Sequence, residues 1–298
     1  DIGEYKNSKH LGWALSNTVY RIETTKGKFI LKIFEESKNK IINYCIDIND
    51  FLYKNKIQVP EIIKTKEEKS LLVYNQKKII IQKFLEGNPK EEIDDKLLAD
   101  ISKKFGKMSK VLISFKPKIK YTWGEGHQFK KCKGKLEEIR DFNFKEEQSQ
   151  LLKELKVLKE EKLRRSVIHG DFHGINLLVS RNKLTGVIDF DDAHEDYISY
   201  EIAVFMIDPF IKKDSIKMEQ IKKFFKEYQK ELKLKEEEKK AIYYFIKHRL
   251  LGIISYCNKQ SKVHKDHRKK IRKNMRNMIS RYEEFNKLNV NEFLKLAK

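Results

Sequence analysis

Polar and apolar residues alternate with period two over Thr18–Glu23 and again over Lys28–Phe34, on either side of Lys26-Gly27. Alternate side chains on a strand face opposite sides, and Gly supplies a turn, so this stretch predicts a β-hairpin. A helix is predicted from about Lys38 to Lys54, stopping before Val59-Pro60, where proline lacks the N–H needed to continue. Ser70–Tyr74 and Lys78–Gln82 return to strand character, and Glu86-Gly87-Asn88-Pro89 then breaks the chain. Beyond Ile93 the period becomes helical, with Leu97, Ile101, Phe105 and Met108 marking one buried face. Further helices are predicted over about 145–163, 216–232, 235–257 and 267–287. One island, Val167 to Ile188, interrupts them with three strand-like runs around a Gly- and His-rich segment. The expected class is α+β in two lobes: a β-rich lobe over residues 1–86 and a mainly helical lobe over 87–298.

Composition changes this picture little. The chain has 298 residues, 40% of them hydrophobic, enough for a sizeable core. No apolar run approaches the roughly 18–20 residues of a membrane span. The start, Asp1-Ile2-Gly3-Glu4-Tyr5, is polar, so no secretory leader is expected, and the lack of an initiator Met reads as a trimmed start. Cys45, Cys132 and Cys257 are far apart and contain no Cys-x-x-Cys, which argues against a disulfide framework or a zinc site and fits a reducing cytoplasm.

Charge is the strongest bulk feature, with 65 basic and 44 acidic residues giving a net +21. Residues 259–276 alone hold nine Lys and Arg against one acid, Asp266. Lys and Glu are interleaved along most of the chain, as solvated helix faces are, and no nucleic-acid-binding signature accompanies the basic run. A nucleic-acid partner is therefore not expected.

The chemistry concentrates in the island. It reads His169-Gly170-Asp171-Phe172-His173-Gly174-Ile175-Asn176, then an apolar run, the turn Ser180-Arg181-Asn182-Lys183, and a second apolar run ending in Asp189. If Leu177–Val179 and Gly186–Ile188 pair, Asn176 enters the first strand and Asp189 leaves the second. Both then meet at the open end of the hairpin. Two hard oxygen donors in one place suit Mg²⁺, which takes few ligands from protein. Asp171 precedes Asn176 by the separation found in the kinase catalytic loop H-R-D-x-x-x-x-N, where the Asp accepts the substrate hydroxyl proton.

The string His169–Asn176, followed by Gly186-Val187-Ile188-Asp189-Phe190-Asp191-Asp192-Ala193, closely resembles the aminoglycoside phosphotransferase superfamily, which includes homoserine, choline and methylthioribose kinases and spore-coat kinase-like proteins. The resemblance implies a protein-kinase-like fold and transfer of the ATP γ-phosphate to a small-molecule hydroxyl, with Mg²⁺. Asp171 would be the catalytic base, Asn176 and Asp189 the metal ligands, His169 a brace for the loop and His173 a polar neighbour of the phosphates. Gly12, Ser16-Asn17-Thr18-Val19-Tyr20, Gly27 and Phe29-Ile30-Leu31-Lys32 match the family's nucleotide-covering strands. Ser16 and Asn17 would then lie in the nucleotide loop, and Lys32 would pair with the α- and β-phosphates. Adenine would sit at Gln82–Glu86, on backbone groups of Lys83 and Leu85. The Ser-Asn loop and the lack of an Ala-Pro-Glu segment after Asp189 depart from protein kinases. The helix after Lys32 also lacks the expected Glu: Asn39–Tyr53 offers only Asp47 and Asp50, with Asp47 the better placed.

Between Leu184 and Ile211 there is no Lys or Arg, but there are Asp189, Asp191, Asp192, Glu195, Asp196, Glu201 and Asp208. Asp196 and Glu201 match family positions that brace the metal loop and start the next helix. The run reads first as bracing, with an electrostatic basin for a cationic alcohol, Asp192 and Glu195 among its acids, as the alternative. The acceptor pocket is expected from the helical lobe, with Trp123 in the loop Tyr121–His127 and His248 in the helix over 241–257 as candidates. The alternative to an enzyme is a kinase-like binding or structural protein of the spore-coat type.

Overall fold

The computed structural model describes residues 1–11, 17–35, 37–90, 92–119, 139 and 142–298. Its N-terminal part is one twisted sheet. Strands β1 (Tyr5–His10), β2 (Asn17–Thr24), β3 (Gly27–Phe34), β6 (Lys77–Lys83) and β4 (Ile62–Ile63) lie side by side in that order, and β5 (Leu72–Tyr74) also pairs with β6. All the pairings are antiparallel. The β2–β3 hairpin turns at Thr25-Lys26, with Thr24 opposite Gly27, as the alternation of residues 18–34 predicts. Strand β1 was not foreseen. All six of its residues are exposed, so it has no apolar face to set a period.

Helix α1 (Asn39–Lys54) packs on one face of this sheet. Ile42 and Ile46 from the helix meet Phe34, Ile62 and Ile80 from the strands in a small separate core. Lys32 shares a sheet face with Phe34, one residue pair along β3, and is itself buried. A buried ammonium demands an anionic partner, and that demand organises the site described below.

The C-terminal part is mainly helical: α2 (Asp95–Ser114), α3 (Phe144–Leu155), α4 (Ile198–Phe210), α5 (Met218–Tyr228), α6 (Glu236–Val263), α7 (Arg268–Asn286) and α8 (Val290–Leu296). Helix α3 is shorter than the predicted span over 145–163, because the chain leaves the helix after Leu155 to bury Leu158 and Leu163. The core is strongly aromatic. Phe105 of α2 stacks on Phe172 with ring centroids 4.0 Å apart, and Phe205 of α4 meets Phe172 edge-on at 5.7 Å.

Two small sheets lie between the sheet and the helices. Strand β7 (Asn88–Pro89) pairs with β9 (Leu177–Ser180), which pairs with β10 (Lys183–Val187), while β8 (Arg165–Ile168) pairs with β11 (His194–Tyr197). The expected β9–β10 hairpin forms, but Leu177 stands opposite Val187 and not Ile188, and a bulge between Leu184 and Gly186 shifts the pairing so that Val179 faces Leu184. Its two-residue turn places Arg181 and Asn182 at φ 48° and 58°, the left-handed pair that matches the twist of a tight hairpin.

Helices α2 and α5 come close at Gly106, where an added Cβ would lie 2.6 Å from the Tyr228 carbonyl oxygen. Alanine there gains about 1 kcal/mol of helix propensity and forces an overpacking cost of about 1–3 kcal/mol. Gly106→Ala is therefore expected to lower the midpoint of urea unfolding without changing its slope.

Candidate functional site

Strand β8 delivers the loop that carries Asp171, and the core fixes it from below. Phe172 is fully buried against Phe105 and Phe205, so the two residues beside it are held at the surface of that core. Gly170 turns the chain with φ 81°, and a Cβ there would collide with the Asp192 carbonyl oxygen. Only glycine fits so close an approach in that conformation. The His169 ring donates from Nε2 to the Ile188 carbonyl at 2.9 Å and accepts the Asp171 N–H at Nδ1, 3.3 Å away. Burial keeps that imidazole neutral by lowering its pKa, which preserves the donor-acceptor pair. Its bracing of the loop is thus plain in the geometry.

Glu201, near the start of α4, is buried and accepts the N–H groups of His169 and Gly170. Burial pushes its carboxyl up to about 7, against the pull of those hydrogen bonds and of His194. Asp196 accepts the Tyr197 N–H at 2.7 Å and lies 3.4 Å from His194. These two acids brace backbone, as expected of them.

The Asp171 carboxylate is held on one side. Its Oδ2 accepts from His173 Nε2 at 3.0 Å and from Asn176 Nδ2 at 3.1 Å. The same Asn176 amide also donates to the Asp171 carbonyl at 2.9 Å. Arg249 of α6 lies 3.9 Å from Oδ1. Burial alone would raise the Asp171 pKa, but the His173 hydrogen bond and the charges of His173, His169 and Arg249 hold it below the usual carboxylate range.

Asn176 and Asp189 meet as the hairpin requires. The Ile188 N–H bonds to the Asn176 carbonyl at 3.0 Å, which sets Asp189 one residue beyond that link. Asp189 adopts a left-handed conformation, φ 67° and ψ 70°, uncommon for a residue with a side chain but within reach of Asp. Because the Asn176 amide nitrogen is engaged by Asp171, its side-chain oxygen is what it can offer a cation. With the Asp189 carboxylate this makes a hard, all-oxygen donor pair that fits Mg²⁺. Among the described residues no group of three or more His, Cys, Asp and Glu is placed to hold a metal, so such an ion would complete its shell with phosphate oxygens and water.

Lys32 reaches across from β3 and donates to Asp189 Oδ1 at 2.8 Å and to Asp191 Oδ1 at 2.7 Å. Burial works to lower its pKa, but the two carboxylates outweigh burial and raise it. Asp47 does not take part: it points to Lys118, 3.7 Å away, and α1 turns the neutral Ile42, Cys45, Ile46 and Asn49 toward the space beside Lys32. The expected helix acid is therefore corrected. Its place is taken by Asp191, which lies outside α1 and stands in the sequence only as part of an acidic run.

The other expected residues divide. Asn17 donates to Asp191 Oδ2 at 2.5 Å and so joins the cluster. Asp192 borders it, its carboxyl pushed up by burial and by the charges of Asp171, Asp189 and Asp191. Leu85 lies against Gly186, its Cδ1 2.6 Å from where a Cβ would stand, so the chain after β6 rests on the hairpin. The Lys83 N–H is committed to the Glu61 carbonyl at 2.8 Å, leaving only its carbonyl to face a ligand. Glu195 stands apart, opposite Val167 on β11, and its described contact is a carbonyl accepting from Arg165 at 3.3 Å. His248 is buried with its ring 6.2 Å from that of Tyr200, while its neighbour Arg249 is the one near Asp171. Ser16, Gly12, Trp123 and the loop Tyr121–His127 lie outside the described residues.

The His173 ring is biased toward its charged form. Burial opposes this, but the Asp171 hydrogen bond and charge, aided by Asp208 and resisted by Arg249, raise its pKa. A raised imidazole pKa contributes stability that is complete below the ordinary value near 6.5 and is lost as pH climbs through the folded value. The melting temperature is expected to fall as pH rises from about 6 to about 8, and less steeply in His173→Gln than in the parent.

A family profile described as the phosphotransferase enzyme family (APH) matches residues 9–235. Homoserine kinase from Methylobacillus flagellatus is 26% identical over 204 residues, which covers 68% of this chain and 64%, just under two thirds, of that enzyme. Homoserine kinase from Zymomonas mobilis is 24% identical over 246 residues, 81% of this chain and 77% of that one. Among solved structures, amicoumacin kinase hAmiN in complex with AMP-PNP, Ca²⁺ and Ami superposes with a TM-score of 0.75 at 18% identity, over 99% of this chain and 94% of its own. A choline/ethanolamine kinase family protein from Mesorhizobium loti follows at a TM-score of 0.68 and 12% identity, over 98% and 92%. At these identities the structures speak for the fold alone, which is the two-part, kinase-like arrangement expected from the sequence. With its profile matched over residues 9–235, the chain belongs to the phosphotransferase enzyme family.

Proposed function

We propose that this chain is a small-molecule kinase that moves the γ-phosphate of ATP to a hydroxyl of its acceptor. The observation that carries the reading is two bonded pairs, Asn176 with Asp171 at 3.1 Å and Lys32 with Asp189 at 2.8 Å, brought together by the backbone bond from Ile188 to Asn176 at 3.0 Å. Asp171 Oδ2 is taken by His173 and Asn176, so Oδ1 is the oxygen left to receive the acceptor's proton. Its lowered pKa makes it a weak base. That is enough for phosphoryl transfer, where positioning and charge neutralisation dominate the barrier. Asn176 and Asp189 would hold Mg²⁺, which when bound offsets the charge of the phosphates. Lys32 would contact the α- and β-phosphates, and the Lys83 carbonyl and Leu85 N–H would meet adenine.

Four acids, Asp171, Asp189, Asp191 and Asp192, crowd this surface, and burial, together with the charges of the other three, raises the Asp192 carboxyl. A divalent cation relieves this crowding of charge, and so would an acceptor carrying an ammonium group, which favours amino alcohols and aminoglycosides over neutral sugars. A missing helix acid would favour the structural-protein alternative, and the ion pairs that Lys32 makes with Asp189 and Asp191 weigh against it.

ADP release in the presence of Mg²⁺, screened over aminoglycosides, homoserine, choline and sugar alcohols, tests this reading. One acceptor is expected to stimulate it, and Asp171→Asn to reduce that rate by about 100- to 10,000-fold with nucleotide affinity little changed. Stimulated turnover that survives in Asp171→Asn would overturn the assignment of the base.

A further inference from the structure

We infer that Asp191 is the positioning residue for Lys32, doing from the C-terminal part of the chain what an acid on α1 would otherwise do. The inference rests on the proposed function, because it concerns how the lysine is held when nucleotide and metal are bound. The Lys32 side chain is only 10% exposed, and an ammonium at that depth needs an anionic partner at every stage, including those in which no nucleotide phosphate is bound. Helix α1 supplies none. The residues it presents beside Lys32 are Ile42, Cys45, Ile46 and Asn49, all uncharged, around a cavity of about 30 Å³. Two carboxylates bond the ammonium instead, Asp189 at 2.8 Å and Asp191 at 2.7 Å.

The two cannot serve alike. Asp189 lies next to Asn176 at the open end of the hairpin, where its oxygens are needed for a cation. Once they turn to that cation, Asp191 is the carboxylate that remains to hold Lys32 against the phosphates. The two Asp191 oxygens are divided accordingly, with Oδ1 accepting from Lys32 and Oδ2 accepting from Asn17 at 2.5 Å. Both donors belong to the N-terminal sheet, at paired strands β2 and β3. One carboxylate thus ties the lysine, the start of β2 and the segment after Asp189 together. A helix acid would tie Lys32 to α1 alone.

Binding of AMP-PNP, measured by calorimetry with and without Mg²⁺, tests this without knowledge of the acceptor. Asp191→Asn and Lys32→Met are each expected to weaken binding roughly ten-fold or more. The double variant should bind no more weakly than Lys32→Met, since Asp191 acts through the lysine. Asp191→Glu, which keeps the charge, should retain most of the affinity. Adding Cys45→Glu to Asp191→Asn places an acid on α1 beside the cavity and should restore binding. If Asp191→Asn alone does not fold, the Cys45→Glu double variant carries the test: it folds and binds if charge at Lys32 is what matters, and a protein that stays unfolded overturns the inference. Additive losses in the Lys32–Asp191 cycle would also overturn it. So would a loss seen only with Mg²⁺ present, which would make Asp191 a metal ligand. Wild-type protein that binds no AMP-PNP would remove the kinase reading and this inference together, whereas normal binding by Asp191→Asn removes this inference alone.

Discussion

Lys32 is a charge placed inside a sheet, and most of the site follows from what that placement requires. A strand lysine can usually turn its ammonium to water. Here the neighbouring Phe34 and the apolar face of α1 close that route, and the cost of an unpaired buried charge is several kcal/mol. The chain meets this cost by bringing the segment after β10 across to the sheet, so that Asp189 and Asp191 both reach the ammonium. The contact joins the two structural parts at the point where nucleotide phosphates would lie. It also concentrates negative charge, which leaves the surface primed for a cation.

The other half of the site is held by the aromatic core of the helical part. Phe172 locks into Phe105 and Phe205, His169 ties the loop to the hairpin, and Glu201 collects the backbone N–H groups of residues 169 and 170. Every one of these contacts is made by a residue beside Asp171, not by the Asp171 side chain. The Asp171 carboxylate is therefore positioned by buried neighbours, and its Oδ1 is left for the role proposed for it. Such division is what preorganisation demands, since a side chain that braces the fold with all its atoms has none left to react.

Charge over the whole molecule tells little by comparison. The net +21 is spread over much of the exposed surface, and a few of the lysines are paired with acids three or four residues away. Among the described residues no helix is long and apolar enough to cross a membrane. The informative charges are the few that are partly buried and grouped, Asp171, Asp189, Asp191 and Lys32. Burial strengthens their mutual interaction, and solvent screens the rest.

The sequence by itself determined the strands and helices with a clear period, the β9–β10 hairpin, and the order Asp171, Asn176, hairpin, Asp189. These are local matters, settled by alternation, by turn residues and by antiparallel register over about ten residues. It also marked Lys32 and Asn17 through their resemblance to the family's nucleotide-covering strands, and Leu85 through the family's adenine connection. Strand β1 escaped because an exposed edge strand has no buried face to give it a pattern. What only the tertiary structure decided is which acid serves Lys32. Asp47 and Asp191 are chemically alike, and Asp47 is nearer in sequence. But the rotation of α1 turns Cys45 and Asn49 toward the lysine, while Asp47 faces Lys118. The same holds for His248 and Arg249, adjacent residues on α6 of which one is drawn into the core and the other reaches Asp171. Neither outcome was readable from spacing, because a helix turns about 100° per residue and its rotation against the rest of the fold is set by packing, not by its own sequence.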